Sequence, residues 1–269
     1  MLFRSVFAVG RSGILFRNDK GFWSRSSIVL RYLDGIWGSA PSDVFAVGQL
    51  GTIMHYNGSS WDNMTSAITE EWLNDVWGSA SDDVFAVGRS GAIVHYDGSS
   101  WAAMASGTSE SLIGIWGSSG SNVFAVGWAG TIIHYDGSLW SPMSSGTSNY
   151  LAGVWGSAAD DVFAVGRSGT VLHYDGSSWS AMDSGTTNSL NSVWGSSGSN
   201  VFAVGAAGTI IHYDGSSWSA MTRGAANMLN DVWGTARGDV FAVGDYGNIL
   251  FYGELSAPLP FLPLLLLNE

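Results

Sequence analysis

Histidine is the side chain best suited to bind a metal or to act as a general base near neutral pH, and here it recurs with a fixed period. The five copies stand 39 or 40 residues apart, each directly before a Tyr: His55, His95, His134, His173 and His212. Neighbouring sheets pack about 10 Å apart, whereas a Zn–N bond needs about 2 Å, so equivalent histidines cannot share one ion. Two further copies of the pattern carry Phe16 and Phe251 instead. We therefore predict a half-buried packing role, no metal site and no cofactor.

Aspartate also recurs, in two rows. One row precedes the string VFAVG, with Asn in two further copies: Asp43, Asp83, Asp161 and Asp239. The other row lies before a Gly in a predicted turn: Asn57, Asp97, Asp136, Asp175 and Asp214. Turn formation explains both rows. Calcium binding is the weaker alternative, because it needs six to eight converging oxygen atoms.

The arrangement of acids and nucleophiles predicts a protein that is not an enzyme. Most glycosidases need two convergent carboxyl groups, and only five Glu are present: Glu70, Glu71, Glu110, Glu254 and Glu269. No Ser–His–Asp set stands out, because every Ser-rich loop recurs as a copy. Near-identical copies also do not bring different residues to one point, as an active site requires. A sialidase-like glycoside hydrolase is the least favoured alternative.

All these residues belong to one repeat. The string VFAVG begins at seven positions, 38 to 40 residues apart: Val6, Val44, Val84, Val123, Val162, Val201 and Val240. Such self-similarity is typical of repeat architectures. In the copy from Leu73 to Gly107 we predict strand A in LNDVWG, a polar connection SASDD, strand B in VFAVG and strand C in AIVHY. A type I′ turn at Asp97-Gly98 then leads to strand D in SSWAAM.

Four short strands per copy predict an all-β fold, a β-propeller of about seven four-stranded blades in which the first and last blades are incomplete. A β-solenoid is the structural alternative. We expect one propeller domain over 1–253, followed at 254–269 by an apolar Pro/Leu tail that is either an outer strand or disordered. The predicted blades are 4–27, 33–66, 73–105, 112–144, 151–183, 190–222 and 229–253.

Tryptophan marks the ends of two strands in almost every copy. One row ends strand A: Trp37, Trp77, Trp116, Trp155, Trp194 and Trp233. The other row begins strand D: Trp23, Trp61, Trp101, Trp140, Trp179 and Trp218. Aromatic side chains that recur in every blade are expected to pack between blades.

Charge and composition exclude several kinds of partner. The net charge is −12 and the pI about 4.5, which argues against nucleic acid and against anionic membrane surfaces. The tail is too short and too rich in Pro for membrane insertion. There is no Cys for a disulfide or a thiolate site. We expect a monomeric ring, extracellular or at the cell surface if a signal peptide was lost before Met1.

The pattern VWG…VFAVG…G-T-I-x-H-Y-D-G-S-S-W resembles propellers of the bacterial neuraminidase-repeat (BNR, or Asp-box) type, and especially the photosystem II assembly/stability-factor branch. It covers nearly the whole chain. Trp101 follows Asp97 by four residues, one fewer than that branch has, and the sialidase Asp-box fits only loosely. The resemblance implies the fold, and no catalytic residue is carried over.

Residues that differ between copies remain for function. In the B–C turns they are Arg11, Gln49, Arg89, Trp128, Arg167, Asp245 and Tyr246, and in the D–A links Trp72, Glu110 and Tyr150. Arg, Trp and Tyr are enriched at binding hot spots, and both kinds of loop emerge on one face of a propeller blade. We predict that this face binds an unknown protein in an interaction or assembly role. The alternatives are a multivalent lectin that binds a glycan with the repeated Trp, Asp and Ser, and neutral variation of solvated turns.

Overall fold

The computed structural model describes residues 6–10, 13–19, 22–65, 68–221, 227–234 and 239–253. Arg11 and the tail 254–269 lie outside the described residues. The regular structure within these ranges is strands and short 3-10 turns, so the prediction of an all-β fold is confirmed.

The strands form seven sheets, and within each sheet the strand order follows the chain. The first sheet has β1 Val6–Val9, β2 Ile14–Asp19 and β3 Phe22–Ser27, and the second has β4 Leu33–Ala40, β5 Asp43–Gly48, β6 Thr52–Tyr56 and β7 Trp61–Asn63. The third has β8 Leu73–Ala80, β9 Asp83–Gly88, β10 Ile93–Tyr96 and β11 Trp101–Ala103, and the fourth has β12 Leu112–Ser119, β13 Asn122–Gly127, β14 Ile132–Tyr135 and β15 Trp140–Met143. The fifth has β16 Leu151–Ala158, β17 Asp161–Gly166, β18 Val171–Tyr174 and β19 Trp179–Met182, and the sixth has β20 Leu190–Ser197, β21 Asn200–Gly205, β22 Ile210–Tyr213 and β23 Trp218–Ala220. The last has β24 Leu229–Gly234, β25 Val240–Gly244 and β26 Ile249–Tyr252.

The prediction of about seven four-stranded blades needs correction. Seven such blades require 7 × 4 = 28 strands, and the described residues form 26. These suffice for six complete blades, with two strands left over. They are arranged as five four-stranded sheets and a three-stranded sheet at each end. Among the described residues the first sheet has no strand A and the last has no strand D.

Strand A is longer than predicted and the A–B connection is shorter. In the third sheet β8 continues to Ala80, which pairs with Asp83 at the start of β9. The connection is thus a two-residue hairpin, Ser81-Asp82, and not the five-residue link SASDD. Strand A also carries a bulge, seen as a register shift between Leu73 and Asp75.

The C–D turn differs from the predicted two-residue type I′ turn. Tyr96 pairs with Trp101, so four residues form the loop, and only Gly98 among them has a positive φ, of 88°. The Asp97 carboxylate explains this geometry, because its Oδ1 accepts hydrogen bonds from the Ser99 N–H (2.9 Å), the Ser99 hydroxyl (2.7 Å) and the Ser100 N–H (2.8 Å). A side chain that holds the loop in this way leaves Asp97 in an ordinary conformation.

The string VFAVG forms the core because strand B lies between strands A and C and is covered on both faces. The Phe side chains of this row are at most 2% exposed: Phe45, Phe85, Phe124, Phe163 and Phe202. Phe45, Phe85, Phe163 and Phe202 each pack into a cluster with strands A to C of the next sheet. Phe45, for example, packs with Leu73, Val84 and Val94. Burial of such side chains contributes about 1.5–3 kcal/mol each.

Tryptophans of both rows pack between sheets, as predicted. Trp101 of strand D lies edge-on to Phe45 of the preceding sheet, with ring centroids 6.0 Å apart. Trp37 of strand A covers Gly78, where an added Cβ would lie only 2.7 Å from the Trp37 Cη2 atom. Gly is therefore required in the motif VWG because the ring of the preceding sheet occupies the space of a side chain.

The chain divides into two compact units, 1–125 with 133–142, and 126–132 with 143–269. Among the described residues no helix is long and apolar enough to cross a membrane.

Candidate functional site

The B–C turns that carry the variable residues share one rigid geometry. Each is a 3-10 turn of three residues ending in Gly: Gln49–Gly51, Arg89–Gly91, Trp128–Gly130, Arg167–Gly169, Ala206–Gly208 and Asp245–Gly247. The middle residue is left-handed in every case, with φ between 53° and 58°, and the turn is closed by bonds such as that from the Ala92 N–H to the Arg89 carbonyl (2.9 Å). The first residue of each turn is thus presented in the same way, whatever its side chain.

Five of these six turns are also tied by a hydrogen bond to the D–A link that precedes strand A of the same sheet. The Arg89 N–H donates to the Trp72 carbonyl (2.9 Å), and the Arg167 N–H donates to the Tyr150 carbonyl (2.9 Å). The two kinds of variable loop are therefore neighbours within a sheet. Trp72 thus lies beside Arg89, and Tyr150 lies beside Arg167.

In the first unit these loops form an Arg89 cluster, defined by Tyr32, Asp34, Trp72 and Arg89. The Arg89 guanidinium lies over the Trp72 ring, 4.2 Å from its centroid, which is a cation–π geometry. The Trp72 indole N–H donates to the Asp34 carboxylate, and the Tyr32 ring lies 6.0 Å from the Trp72 ring. The side chains hold one another, so the cluster loses little freedom when a ligand binds.

In the second unit an Arg167 cluster is formed by Trp128, Tyr150 and Arg167. The Arg167 guanidinium is 5.1 Å from the Tyr150 ring centroid and 5.8 Å from that of Trp128. The two rings meet edge to face, 5.6 Å apart. The Asn149 amide fixes the loops behind them by donating to the Thr170 hydroxyl (2.9 Å).

The Arg167 cluster forms one wall of a pocket of about 310 Å³. The other walls include Leu190, Asn191 and Met228. Trp128 is 48% exposed and Met228 43%, and Arg167 is exposed as well. An aromatic face, one apolar side chain and one cation are therefore open to a ligand. A volume of this size is at the lower end of ligand sites and fits one or two amino-acid side chains.

Burial changes the acid–base properties of both clusters. It raises the pKa of Tyr150, an effect that the positive charge of Arg167 partly offsets. It also raises the pKa of the Asp34 carboxyl group, against the opposing effects of the Trp72 hydrogen bond and the Arg89 charge. Tyr150 therefore stays neutral at physiological pH, and its hydroxyl can donate a hydrogen bond to a ligand.

The other predicted residues do not join these clusters through their side chains in the contacts described. The Gln49 N–H donates to the Tyr32 carbonyl (3.0 Å), and Glu110 is exposed. Asp245 accepts a hydrogen bond from the Asn230 amide (3.0 Å), and Tyr246 is 73% exposed at the tip of its turn.

Sequence reasoning missed Tyr32, Asp34 and Asn191. The signal for Tyr32 was available, because it directly precedes strand A, as Trp72 and Tyr150 do. Asp34 and Asn191 stand at the second position of strand A, and nothing in the repeat pattern points to that position.

Three of the strand-C histidines, His55, His95 and His173, contact the aspartate row that was assigned to turn formation. His95 Nε2 is 2.7 Å from Asp83 Oδ1, and the Ser79 hydroxyl donates to the same carboxylate. The Ser hydroxyl contacts the Asp carboxylate and not the imidazole. The hydrogen-bonded series Ser–Asp–His therefore does not activate the Ser as a nucleophile, as a Ser–His–Asp triad does. Among the described residues no group of three His, Asp or Glu is placed to hold a metal ion.

The strand-D tryptophans offer little surface to a sugar. Trp101, Trp140, Trp179 and Trp218 are only 6–8% exposed, whereas stacking on a sugar needs an open ring face. A shallow groove of about 380 Å³ does lie beside Trp101, between Met64, Ser99 and Ser100.

Solved structures with the same architecture are similar to the chain over nearly its whole length. The structure of YCF48 bound to D1 peptide has a TM-score of 0.75 at 15% identity, covering 93% of this chain and 88% of that chain. The structure of YCF48 from Cyanidioschyzon merolae has a TM-score of 0.75 at 16% identity, covering 93% of this chain and 91% of that chain. The WD40 β-propeller domain of Doa1 has a TM-score of 0.78 at 13% identity, covering 95% of this chain and 91% of that chain. The chain has a β-propeller fold with four-stranded blades.

At such identities the propeller fold alone is shared. No family model and no curated protein sequence matches the chain. The resemblance to photosystem II assembly-factor propellers is supported at the level of the fold, and that to the neuraminidase-repeat type is not confirmed.

Proposed function

We propose that the propeller is a non-enzymatic platform for protein–protein interaction, which binds a segment of its partner at the B–C turns and D–A links. The Arg167 pocket is the observation that carries the proposal. Positions that vary among otherwise near-identical copies supply its cation and both aromatic rings, on turns whose backbone is fixed. Binding residues on a rigid scaffold are typical of recognition sites.

The chemistry of the pocket selects the kind of segment. The Arg167 guanidinium lies over the Tyr150 ring, 5.1 Å from its centroid. A guanidinium binds a carboxylate by donating two parallel hydrogen bonds. Leu190, Met228 and the Trp128 ring suit an apolar or aromatic side chain beside that carboxylate. We propose a ligand segment with this pair of groups, an Asp, a Glu or a terminal carboxylate next to an apolar residue.

Two observations support an interaction role over catalysis. The Ser–Asp–His chains recur in three sheets with the same geometry, as expected of a scaffold element. One neighbour in fold is described as YCF48 bound to D1 peptide, so a propeller of this shape takes a peptide as ligand.

Selection of peptides from a random library displayed on phage, against the immobilised full chain, tests the proposal. We expect enriched peptides to carry an acidic group next to an apolar residue, and to bind Arg167→Ala and Trp128→Ala at least about tenfold more weakly, about 1.4 kcal/mol. Arg25→Ala is the matched control, since it removes an equal charge from an exposed strand position. Equal binding of the selected peptides by wild type and both pocket variants would overturn the proposal.

The lectin alternative predicts a different outcome. The groove beside Trp101 is the observation in its favour, and a lectin would bind several equivalent glycans per chain. Multivalent signals on a glycan array, unchanged by Arg167→Ala, would replace the platform proposal with the lectin.

A further inference from the structure

The Arg167 pocket crosses three neighbouring sheets. Phe163 of the fifth sheet packs in one cluster with Leu190 of the sixth, and Phe202 of the sixth packs in one cluster with Leu229 of the last. The sixth sheet therefore lies between the other two. The pocket begins at the Arg167 cluster of the fifth sheet and ends at Met228, which directly precedes the last sheet.

The turn in the middle of this series carries the smallest side chains. Ala206 and Ala207 stand in the B–C turn of the sixth sheet, whereas the turns on either side carry Arg167 and the pair Asp245-Tyr246. Ala206 lines the pocket. Since the turns share one backbone geometry, the small side chains leave a space between two larger and oppositely charged walls.

The wall opposite Arg167 carries the Asp245 carboxylate. The Asp245 N–H donates to the Met228 carbonyl (3.0 Å), so Asp245 borders the pocket. Its Oδ1 accepts a hydrogen bond from the Asn230 amide (3.0 Å), and the Asn248 amide donates to its carbonyl (2.8 Å). Arg167 is the only Lys or Arg that the structure describes in this unit. The carboxylate is thus held in place by a neutral group that leaves its charge for a ligand.

Tyr246 follows Asp245 at the tip of the same turn. Its backbone is left-handed, with φ of 58°, which is unfavourable for a bulky side chain. Four of the six turns place Ser or Ala at this position: Ser90, Ala129, Ser168 and Ala207. Tyr246 is also 73% exposed, so its ring contributes little to the core. Such unfavourable conformations are typical of binding sites.

We propose that Asp245 and Tyr246 bind an arginine side chain of the same ligand segment whose acidic group binds Arg167. This inference rests on the function proposed above. The ligand then carries an acidic group and an Arg on the two sides of an apolar residue, which lies over Ala206 and Leu190. A guanidinium donates two parallel hydrogen bonds to a carboxylate and stacks on an aromatic ring. A Lys ammonium lacks this planar shape, so Arg is preferred.

Two series of labelled, end-blocked peptides test the inference by fluorescence anisotropy with the full chain. One series is Glu-Leu-spacer-Arg and the other is the reverse sequence, each with a Gly spacer of increasing length. Every peptide has a counterpart in which Ala replaces Arg. We expect the Arg peptide to bind at least about tenfold more tightly than its Ala counterpart at one or more spacer lengths.

Substitutions in the second wall should remove this preference. Asp245→Asn should bring the Arg peptide and its Ala counterpart to the same affinity, because Asn keeps an oxygen for the Asn230 amide but has no charge. Asp160→Asn is the matched control, since it removes an equal charge from an exposed A–B turn. Tyr246→Ala should lessen the preference at least about threefold without lowering the midpoint of thermal unfolding, because Ala207 occupies this position in the sixth sheet.

Arg167→Ala separates this inference from the function proposed above. Suppose that Arg167→Ala weakens binding of the Ala peptides but that Arg adds no affinity at any spacer length. The inference would then be overturned and the proposed function would stand. A preference for Arg that Asp245→Asn leaves intact would also overturn the inference. Absence of binding by every peptide would overturn both.

Discussion

His134 and His212 differ from the other strand-C histidines in their partner. Each contacts an Asn instead of an Asp, with His134 Nε2 at 2.6 Å from Asn122 Oδ1 and His212 Nε2 at 2.7 Å from Asn200 Oδ1. Burial lowers the pKa of both imidazoles, and the nearby Asp136 and Asp214 offset this only in part. A neutral partner does not stabilise the imidazolium, so these sheets carry histidines that are destabilising when protonated.

This predicts acid sensitivity that one substitution reduces. The pKa of such a histidine is lower in the folded than in the unfolded state. Its contribution to the free energy of unfolding is therefore complete above the unfolded-state pKa of about 6.5 and is lost as the pH falls toward the folded-state pKa. Asn122→Asp recreates the Asp–His pair of the other sheets. We expect it to raise the pKa of His134 in an NMR titration, and to lessen the fall in the free energy of unfolding between about pH 7.5 and pH 5.

His134→Phe is the control, because Phe251 stands at the equivalent position of the last sheet. It should remove the contribution of this site to the pH dependence altogether. A His134 pKa at or above that of a free imidazole in the wild type would contradict the account.

At the scale of the strand, the contact of Trp with Gly fixes how strand A of one sheet meets strand A of the next. An added Cβ at Gly78 would lie 2.7 Å from the Trp37 ring and 2.9 Å from the Asp83 carbonyl. At Gly38 only the second kind of clash exists, with the Asp43 carbonyl at 2.8 Å. The Trp ring is thus a contact that Gly78 has and that the nearest atoms around Gly38 do not include.

We therefore expect Gly78→Ala to destabilise the protein by about 1–3 kcal/mol more than Gly38→Ala, as overpacking of a core does. Urea unfolding of both variants, followed by far-UV circular dichroism, measures the difference. Equal losses would show that the hairpin carbonyl, and not the Trp ring, demands Gly in VWG.

At the scale of the whole molecule, the acidic composition has two structural roles. Some aspartates are exposed in A–B turns, such as Asp82 and Asp160. Others hold the C–D loops, and hydrogen bonds from the following Ser hydroxyl and N–H groups lower the pKa of Asp97 and Asp175 from 3.8 to about 2. The aspartates of the C–D loops therefore stabilise the folded state. This contribution is complete above the unfolded-state pKa and is lost as the pH falls toward 2.

Asp97→Asn/Asp175→Asn should accordingly lose less stability than the wild type between about pH 4 and pH 2. Asn is tolerated in this loop, because Asn57 Oδ1 accepts the same bonds from Ser59 and Ser60. Asp82→Asn/Asp160→Asn changes the net charge equally and is the control. The expectation fails if both double variants show the same acid unfolding curve.

The local design of this protein follows from its sequence alone. The 39-residue period, the apolar VFAVG string and the Gly-bounded turns predict strands B and C and the chain order of each sheet, because hydrophobic pattern and turn residues act over a few positions. They also predict where variation is permitted, and therefore Arg89, Trp128 and Arg167 as candidate residues.

Contacts between distant residues were decided only by the tertiary structure. The pairing of His95 with Asp83, the cover of Gly78 by Trp37 and the stacking of Arg167 on Tyr150 join residues 12 to 41 positions apart. Such contacts depend on strand register and on how one sheet packs against the next, which a periodic pattern does not specify. For the same reason the bulge of strand A and the four-residue C–D loop came from the structure, which alone shows the register of each strand pair.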